Sequence, residues 1–218
     1  MRLVDMVDLR RMGSSWAGNF GGYFRTGILT VIVSFAGNSA IGQNIDRGIE
    51  APERGDYQAA LKEILSLAEQ GDAVAQNKLG VMYDNGEGVL ADDQEAVRWY
   101  RLAADQGHAS AQYNLGYMYS NGLGVLEDDQ EAVRWYRLAA DKGHAMAQRN
   151  LGLMYEYGKG VLADRISAHM WLNIASANGD EYARERREEV GKTMTPADIS
   201  EAVNSARNCM SSDYKNCR

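Results

Sequence analysis

The chain has 218 residues, 45% of them hydrophobic and 24% charged, with only two prolines, which suits a folded domain able to bury a core. Its 30 acidic side chains outnumber 23 basic ones and leave a net charge of −7, the wrong sign for holding nucleic acid through phosphate contacts. The two cysteines, Cys209 and Cys217, have no metal-ligand spacing, and the sequence calls for no cofactor.

The first element is the uncharged run GILTVIVSFAG at 27–37, preceded by Arg25 and followed by small residues. It has the length of a signal-peptide core and is too short for a bilayer, which takes about 20 apolar residues. Residues 1–42 are therefore predicted to be a signal peptide with an upstream segment. Asp5 and Asp8 make a poor leader start, which favours Met12 as the true beginning, and cleavage has candidates after Ala36, Ala40 and Gly42. The expected mature chain is periplasmic or secreted, with no membrane span. The alternative is anchoring to the membrane by an uncleaved N-terminal segment. Residues 43–54 are expected to be a flexible linker.

From residue 55 the pattern is helical. GDYQAALKEILSLAEQGD (55–72) predicts a first helix at 56–70. Three units of 36 residues follow at 73–108, 109–144 and 145–180, the first two identical at 28 of 36 positions. A period of this length predicts a solenoid of stacked helical hairpins. The common frame is A-x-A-Q-x-x-L-G-x-M-Y-x-x-G-x-G-V-L-x-D, then a second helix closing in Ala-Ala-x-x-Gly. Helix A (AVAQNKLGVMYDN) should stop at a Gly-x-Gly turn, since glycine adopts positive φ without steric cost. Helix B should begin at Asp92 or Asp93 as N-cap, with Glu95 in the capping-box place. Its apolar side is Ala96, Trp99, Tyr100, Ala103 and Ala104, at helical spacing. Residues 181–210 are predicted to form capping helices. The first keeps the helix A frame with Arg187 and Glu188 in place of Leu79 and Gly80, and the second starts at Thr195 with Pro196 and Asp198. Residues 211–218 form a tail. In an oxidising compartment Cys209 and Cys217 are a possible disulfide, worth about 2.5 kcal/mol in the chain-entropy model.

The stretch AQYNLGYMYSNGLGVLEDDQEAVRWYRLAADKGHAMAQ (111–148) resembles the Sel1-like repeat, a relative of the tetratricopeptide repeat. The resemblance covers about residues 55–210. It implies an all-α, right-handed α-α solenoid with polar capping helices, serving as an adaptor or regulatory partner, often in the bacterial envelope. It implies no single reaction.

Features that mimic active sites coincide with the period. The Asp92–Asp93 pair recurs as Asp128–Asp129 at a helix start, where capping suffices. The three Gly-x-Gly turns follow helices, so phosphate cradling has no strand to support it. His108 and His144 stand where Asp72 and Asp180 stand, a swap that suits an N-cap and not a general base. His169 is given no role, and Met82, Met118 and Met154 belong to the core. An alternative function, a β-lactam- or peptidoglycan-acting hydrolase, is implied by the resemblance to cysteine-rich members. It is weakened because residues 55–208 contain no cysteine and no Ser-x-x-Lys supplies an activated serine.

The invariant positions of helix A project onto one half of the helix, and the variable ones onto the other. That variable arc, expected to line the concave side of the solenoid, nominates Asn77, Lys78, Val81, Tyr113, Asn114, Tyr117, Arg149, Asn150 and Leu153 as residues for binding a protein or peptide segment.

Overall fold

The structure is a computed structural model that describes residues 54–215 and 217. The expected signal segment at 1–42, and the linker up to residue 53, lie outside the described residues. Nine helices and no strand occur among the described residues: α1 (Arg54–Glu69), α2 (Ala73–Asn85), α3 (Asp93–Asp105), α4 (Ala109–Asn121), α5 (Asp129–Ala140), α6 (Ala145–Tyr157), α7 (Arg165–Ala177), α8 (Glu181–Gly191) and α9 (Pro196–Ser211). Helices α2/α3, α4/α5 and α6/α7 are the A and B helices of the three units. Each packs against its predecessor and successor, as an all-α solenoid requires.

The recurring residues explain the stacking. Leu79, Leu115 and Leu151 are fully buried, as are Tyr100 and Tyr136. The glycine of each Leu-Gly pair lets helix B cross close to helix A. A Cβ at Gly80 would stand 2.5 Å from the Tyr100 ring, and one at Gly116 would stand 2.8 Å from Tyr136. The buried glutamine of each A-x-A-Q reaches back to the last turn of the preceding helix. Gln76 donates to Ala68 O at 3.0 Å, Gln112 to Ala104 O at 3.1 Å and Gln148 to Ala140 O at 3.1 Å. Each of these carbonyls at a helix end also accepts the N–H of the glycine three residues on, and the glutamine adds a second bond. The glutamine carbonyl is served in turn by Gln106 in unit 1 and Asn178 in unit 3. In unit 2 the equivalent residue is Lys142, which donates to Gly107 O instead, and Gln112 Oε1 is left without a partner.

The caps divide cleanly. Asp92 and Asp128 are the N-caps of α3 and α5, each accepting two backbone N–H groups, so Asp93 and Asp129 fall inside the first turn. The expected capping box at Glu95 does not form. The Asp92 N–H is already taken by Tyr83 O, and Glu95 turns to Arg98. His108 and His144 cap α4 and α6 through Nδ1, while Asp72 and Asp180 cap α2 and α8. At α9 Thr195, Pro196 and Asp198 do form a capping box.

The C-terminal helix does more than present a polar face. On α3 and α5 the outer stripe is Arg98 with Leu102 and Arg134 with Leu138, all exposed. The same positions on α7 are Met170 and Ile174, both buried under Ala202, Ala206 and Cys209 of α9. Helix α9 therefore covers the back of α7. Cys209 and Cys217 are joined by a disulfide with Cα atoms 4.5 Å apart, and Cys217 lies in the same apolar cluster. The tail is held further by Tyr214, whose hydroxyl exchanges hydrogen bonds with Asn178.

His169 on α7 occupies the register of Val97 and Val133. It is buried, its Nδ1 has no hydrogen-bond partner, and Arg187 of α8 faces it. Burial and then Arg187 hold its pKa below the ordinary histidine value, and burial does the same at His108 and His144. A folded-state pKa below the unfolded one means that the native chain binds fewer protons. The associated stability is thus present above about pH 6.5 and is lost as pH falls below it. His169→Val is expected to raise stability by about 1 kcal/mol at pH 5.5 and to flatten the fall in Tm between pH 7.5 and 5.5, leaving the share of His108 and His144. An identical fall in the variant would show that His169 has no part in it.

Candidate binding face

The buried half of each A helix is fixed by Ala75, Gln76, Leu79, Gly80 and Met82 and their equivalents. The opposite half is not uniformly open. Tyr113 stacks on His144, the N-cap of the next unit's A helix, at 4.8 Å between ring centres and lies 5.9 Å from Tyr136. One unit further, Arg149 replaces that tyrosine and Asp180 replaces that histidine, and the two form an ion pair at 2.9 Å. The variation is therefore paired: stacked rings at one junction become opposite charges at the next. Asn77 accepts from Asn114 at 3.2 Å, which links units 1 and 2.

The position three residues beyond Val81 behaves alike. Asp84 accepts from the Tyr100 hydroxyl at 3.0 Å, and Glu156 pairs with Arg186 of α8, with Nε to Oε2 at 2.9 Å. In unit 2 the Tyr136 hydroxyl is influenced by hydrogen bonds to Asn150 and Ser120. Burial first, and then Asp84, push the Tyr100 hydroxyl well above its usual pKa. Tyr136 is also raised by burial, against those two bonds. Both phenols thus stay protonated, and that of Tyr100 serves as a structural donor to Asp84.

Of the nine nominated residues, Tyr117 is exposed, at 43%. Val81 packs on the unit 1/unit 2 cluster and Leu153 on the cluster under α8, both half-buried. Asn77, Asn114, Tyr113, Asn150 and Arg149 take part in contacts between or within units, and Lys78 is half-buried. The nominated residues therefore do not form one open face: unlike neighbours at each junction require unlike contact residues. What projects from the A helices is a second set, namely Val74, Tyr117, Met146, Tyr157 and Tyr182. Val74, Met146 and Tyr182 share one register of the 36-residue period, in which Ser110 stands on α4, and run from α2 to α8. Two of these rings are steadied from below. Arg186 donates to the Tyr157 hydroxyl at 2.6 Å, and the Arg149 guanidinium lies 5.7 Å from the Tyr182 ring centre. The sequence signal for Val74 and Met146 was present in the variable arc. Tyr182 was missed because it sits on a capping helix outside the three units, and Tyr157, which replaces Asn85 and Asn121, because it is the last residue of α6 and lies beyond the nominated arc.

A cleft of about 430 Å³ opens between the starts of α7 and α9, lined by Glu156, Asp164, Arg165, Met194 and Asp198 among others. Its carboxylates are committed. Asp164 caps α7, Asp198 closes the capping box and Glu156 holds Arg186. No group of three or more His, Cys, Asp or Glu residues able to hold a metal ion occurs among the described residues, and no helix there is long and apolar enough to cross a membrane.

The Sel1 repeat model matches residues 73–108, 109–144 and 145–180, the three units read from the period. Among solved structures the chain is similar to a protective antigen present in uropathogenic Escherichia coli strains displaying an SLR fold, with 34% identity and a TM-score of 0.70 over 79% of this chain and 38% of that one. It is also similar to a Sel1 repeat protein from Oxalobacter formigenes, with 34% identity and a TM-score of 0.63 over 72% of this chain and 63% of that one. The chain thus spans less than two thirds of the length of either. No match was found among curated proteins.

Proposed function

Because this chain is a Sel1-repeat protein carrying three units, we propose that it is a non-enzymatic adaptor or regulatory scaffold of the bacterial envelope, binding a protein or peptide segment across α2, α4, α6 and the start of α8. Sel1 repeats commonly serve in protein interactions. One observation carries the reading: apolar and aromatic side chains, Val74, Tyr117, Met146, Tyr157 and Tyr182, stand in solvent along one succession of A helices. Tyrosines are frequent binding anchors because they offer large amphipathic contact area with few rotatable bonds. Rings already held by Arg149 and Arg186 lose little further freedom when a partner arrives. Placement outside the cytoplasm is supported by the Cys209–Cys217 disulfide and by the signal-like run at 27–37.

The Tyr117→Ala/Tyr182→Ala double variant is expected to weaken partner capture by at least about 30-fold, as loss of binding anchors does, with helical signal and Tm preserved. Tyr113 is not a suitable target, since its ring packs between His144 and Tyr136 and its loss would disturb the stack. Capture from an envelope extract, quantified against the parent chain, checks this, and equal capture by the double variant would refute the A-helix face.

A further inference from the structure

One recurring residue has no packing role. Leu90, Leu126 and Leu162 occupy the same position in the three units and are 90%, 91% and 90% exposed. The valine before each one, Val89, Val125 and Val161, turns inward onto the core clusters, which leaves the leucine pointing out from the loop between helices A and B. Around the leucine, the glycine and valine before it recur, but two nearby positions vary. The residue three before it is Glu87, Leu123 or Lys159, and the residue after it is Ala91, Glu127 or Ala163, yet the leucine stays. A large apolar side chain gains nothing from folding in this position, so its threefold retention is not explained by the solenoid.

Each later loop abuts the unit before it. A Cβ at Gly124 or Gly160 would run into the backbone of Asp93 or Asp129, respectively, which places each later loop against the start of the previous B helix. The leucines thus line one edge of the array, beside those helix starts. The charge on this edge is one-sided. Residues 86–95 and 122–131 carry four carboxylates each and no basic side chain, whereas 158–167 carry Asp164 against Lys159 and Arg165. Arg98 and Arg134 offset only Glu95 and Glu131.

We propose that this edge is a second docking surface, separate from the A-helix face, for a cationic amphipathic segment of a protein partner. Its apolar side chains rest on Leu90, Leu126 and Leu162, and its basic residues lie toward units 1 and 2. A second copy of this chain would bring the same eight carboxylates face to face, and an anionic membrane would meet the same repulsion. The change of charge at unit 3 gives the bound segment a direction.

The test uses the full chain and a fluorescent amphipathic Leu/Lys helical peptide, with a Ser/Lys peptide of equal charge as control. Anisotropy should show binding that weakens as salt is raised from 50 to 500 mM. It should weaken at least tenfold in the L90S/L126S/L162S triple variant and for the Ser/Lys peptide. The triple variant should keep the parent helical signal because all three sites lie in solvent. The Tyr117→Ala/Tyr182→Ala variant should bind this peptide like the parent, so the two surfaces fail or succeed independently. No binding by the parent chain, or equal binding by the triple variant, would overturn the proposal. So would leucine-dependent self-association in sedimentation, or leucine-dependent binding to phosphatidylcholine vesicles in place of the peptide.

Discussion

Trp135→Ala is expected to destabilise the chain by about 3–5 kcal/mol, the usual cost of emptying a large buried aromatic site. The ring is buried among Ala96, Val97, Tyr100, Ala103, Leu115 and Met118, residues of unit 1 and of its own helix A, so it is the filling between consecutive hairpins. Its Nε1 has no hydrogen-bond partner, so no hydrogen bond is lost with the ring. The Arg134 guanidinium lies 3.9 Å from the ring centre and closes the outer side against water. The alanines around the ring cannot expand to fill the gap. Because a solenoid is held by contacts between neighbours, breaking a central junction should also divide one unfolding transition into two. Urea unfolding followed by circular dichroism checks both effects. Leu138→Ala, three residues on and exposed, should change stability by less than about 0.5 kcal/mol. Similar effects of the two substitutions would mean that the tryptophan does not join the units.

Gly160→Ala is the second large effect, at about 3 kcal/mol. Gly160 has φ +65°, where an L side chain is strained. Its added Cβ would also press into the carbonyl of Asp129, which belongs to backbone at the start of α5 and cannot swing aside as a side chain could. Gly179 separates these two causes. It has φ +94° and nothing within 4 Å of a Cβ, so Gly179→Ala carries the conformational strain alone, about 1 kcal/mol. Thermal unfolding of both variants should rank Gly160→Ala clearly below Gly179→Ala. Equal losses would show that the Gly-x-Gly loop is fixed by local backbone preference and not by contact with the preceding unit.

Much of this architecture is legible from the period because a repeat must satisfy the same contacts three times. Leu79, Gly80, Gln76 and Trp99 recur because each meets a recurring neighbour, and the caps at Asp92, His108 and Thr195 follow from the orphan N–H groups of helix starts. The contacts that differ from junction to junction are harder to read. Tyr113 on His144 and Arg149 on Asp180 are two solutions to one contact, and as single columns they resemble drift. The role of α9 in covering Met170 and Ile174 was hidden for a related reason: a helix that pairs with the back of α7 leaves no mark in units that lack it. His169 was unreadable because only burial separates an orphaned imidazole from a solvated one. Leu90, Leu126 and Leu162 show the converse, since recurrence there does not coincide with burial.

The central claim is that recognition occurs on the exposed face of the A helices while the B helices and the recurring core build the stack. The most direct measurement places a photo-crosslinking amino acid at position 117 on α4 and, in a separate variant, at position 138 on the outer side of α5, and compares adducts formed in an envelope extract. The account predicts a discrete protein adduct from position 117 that Tyr182→Ala suppresses, with none of comparable yield from position 138. A discrete adduct from position 138 with none from position 117 would contradict it.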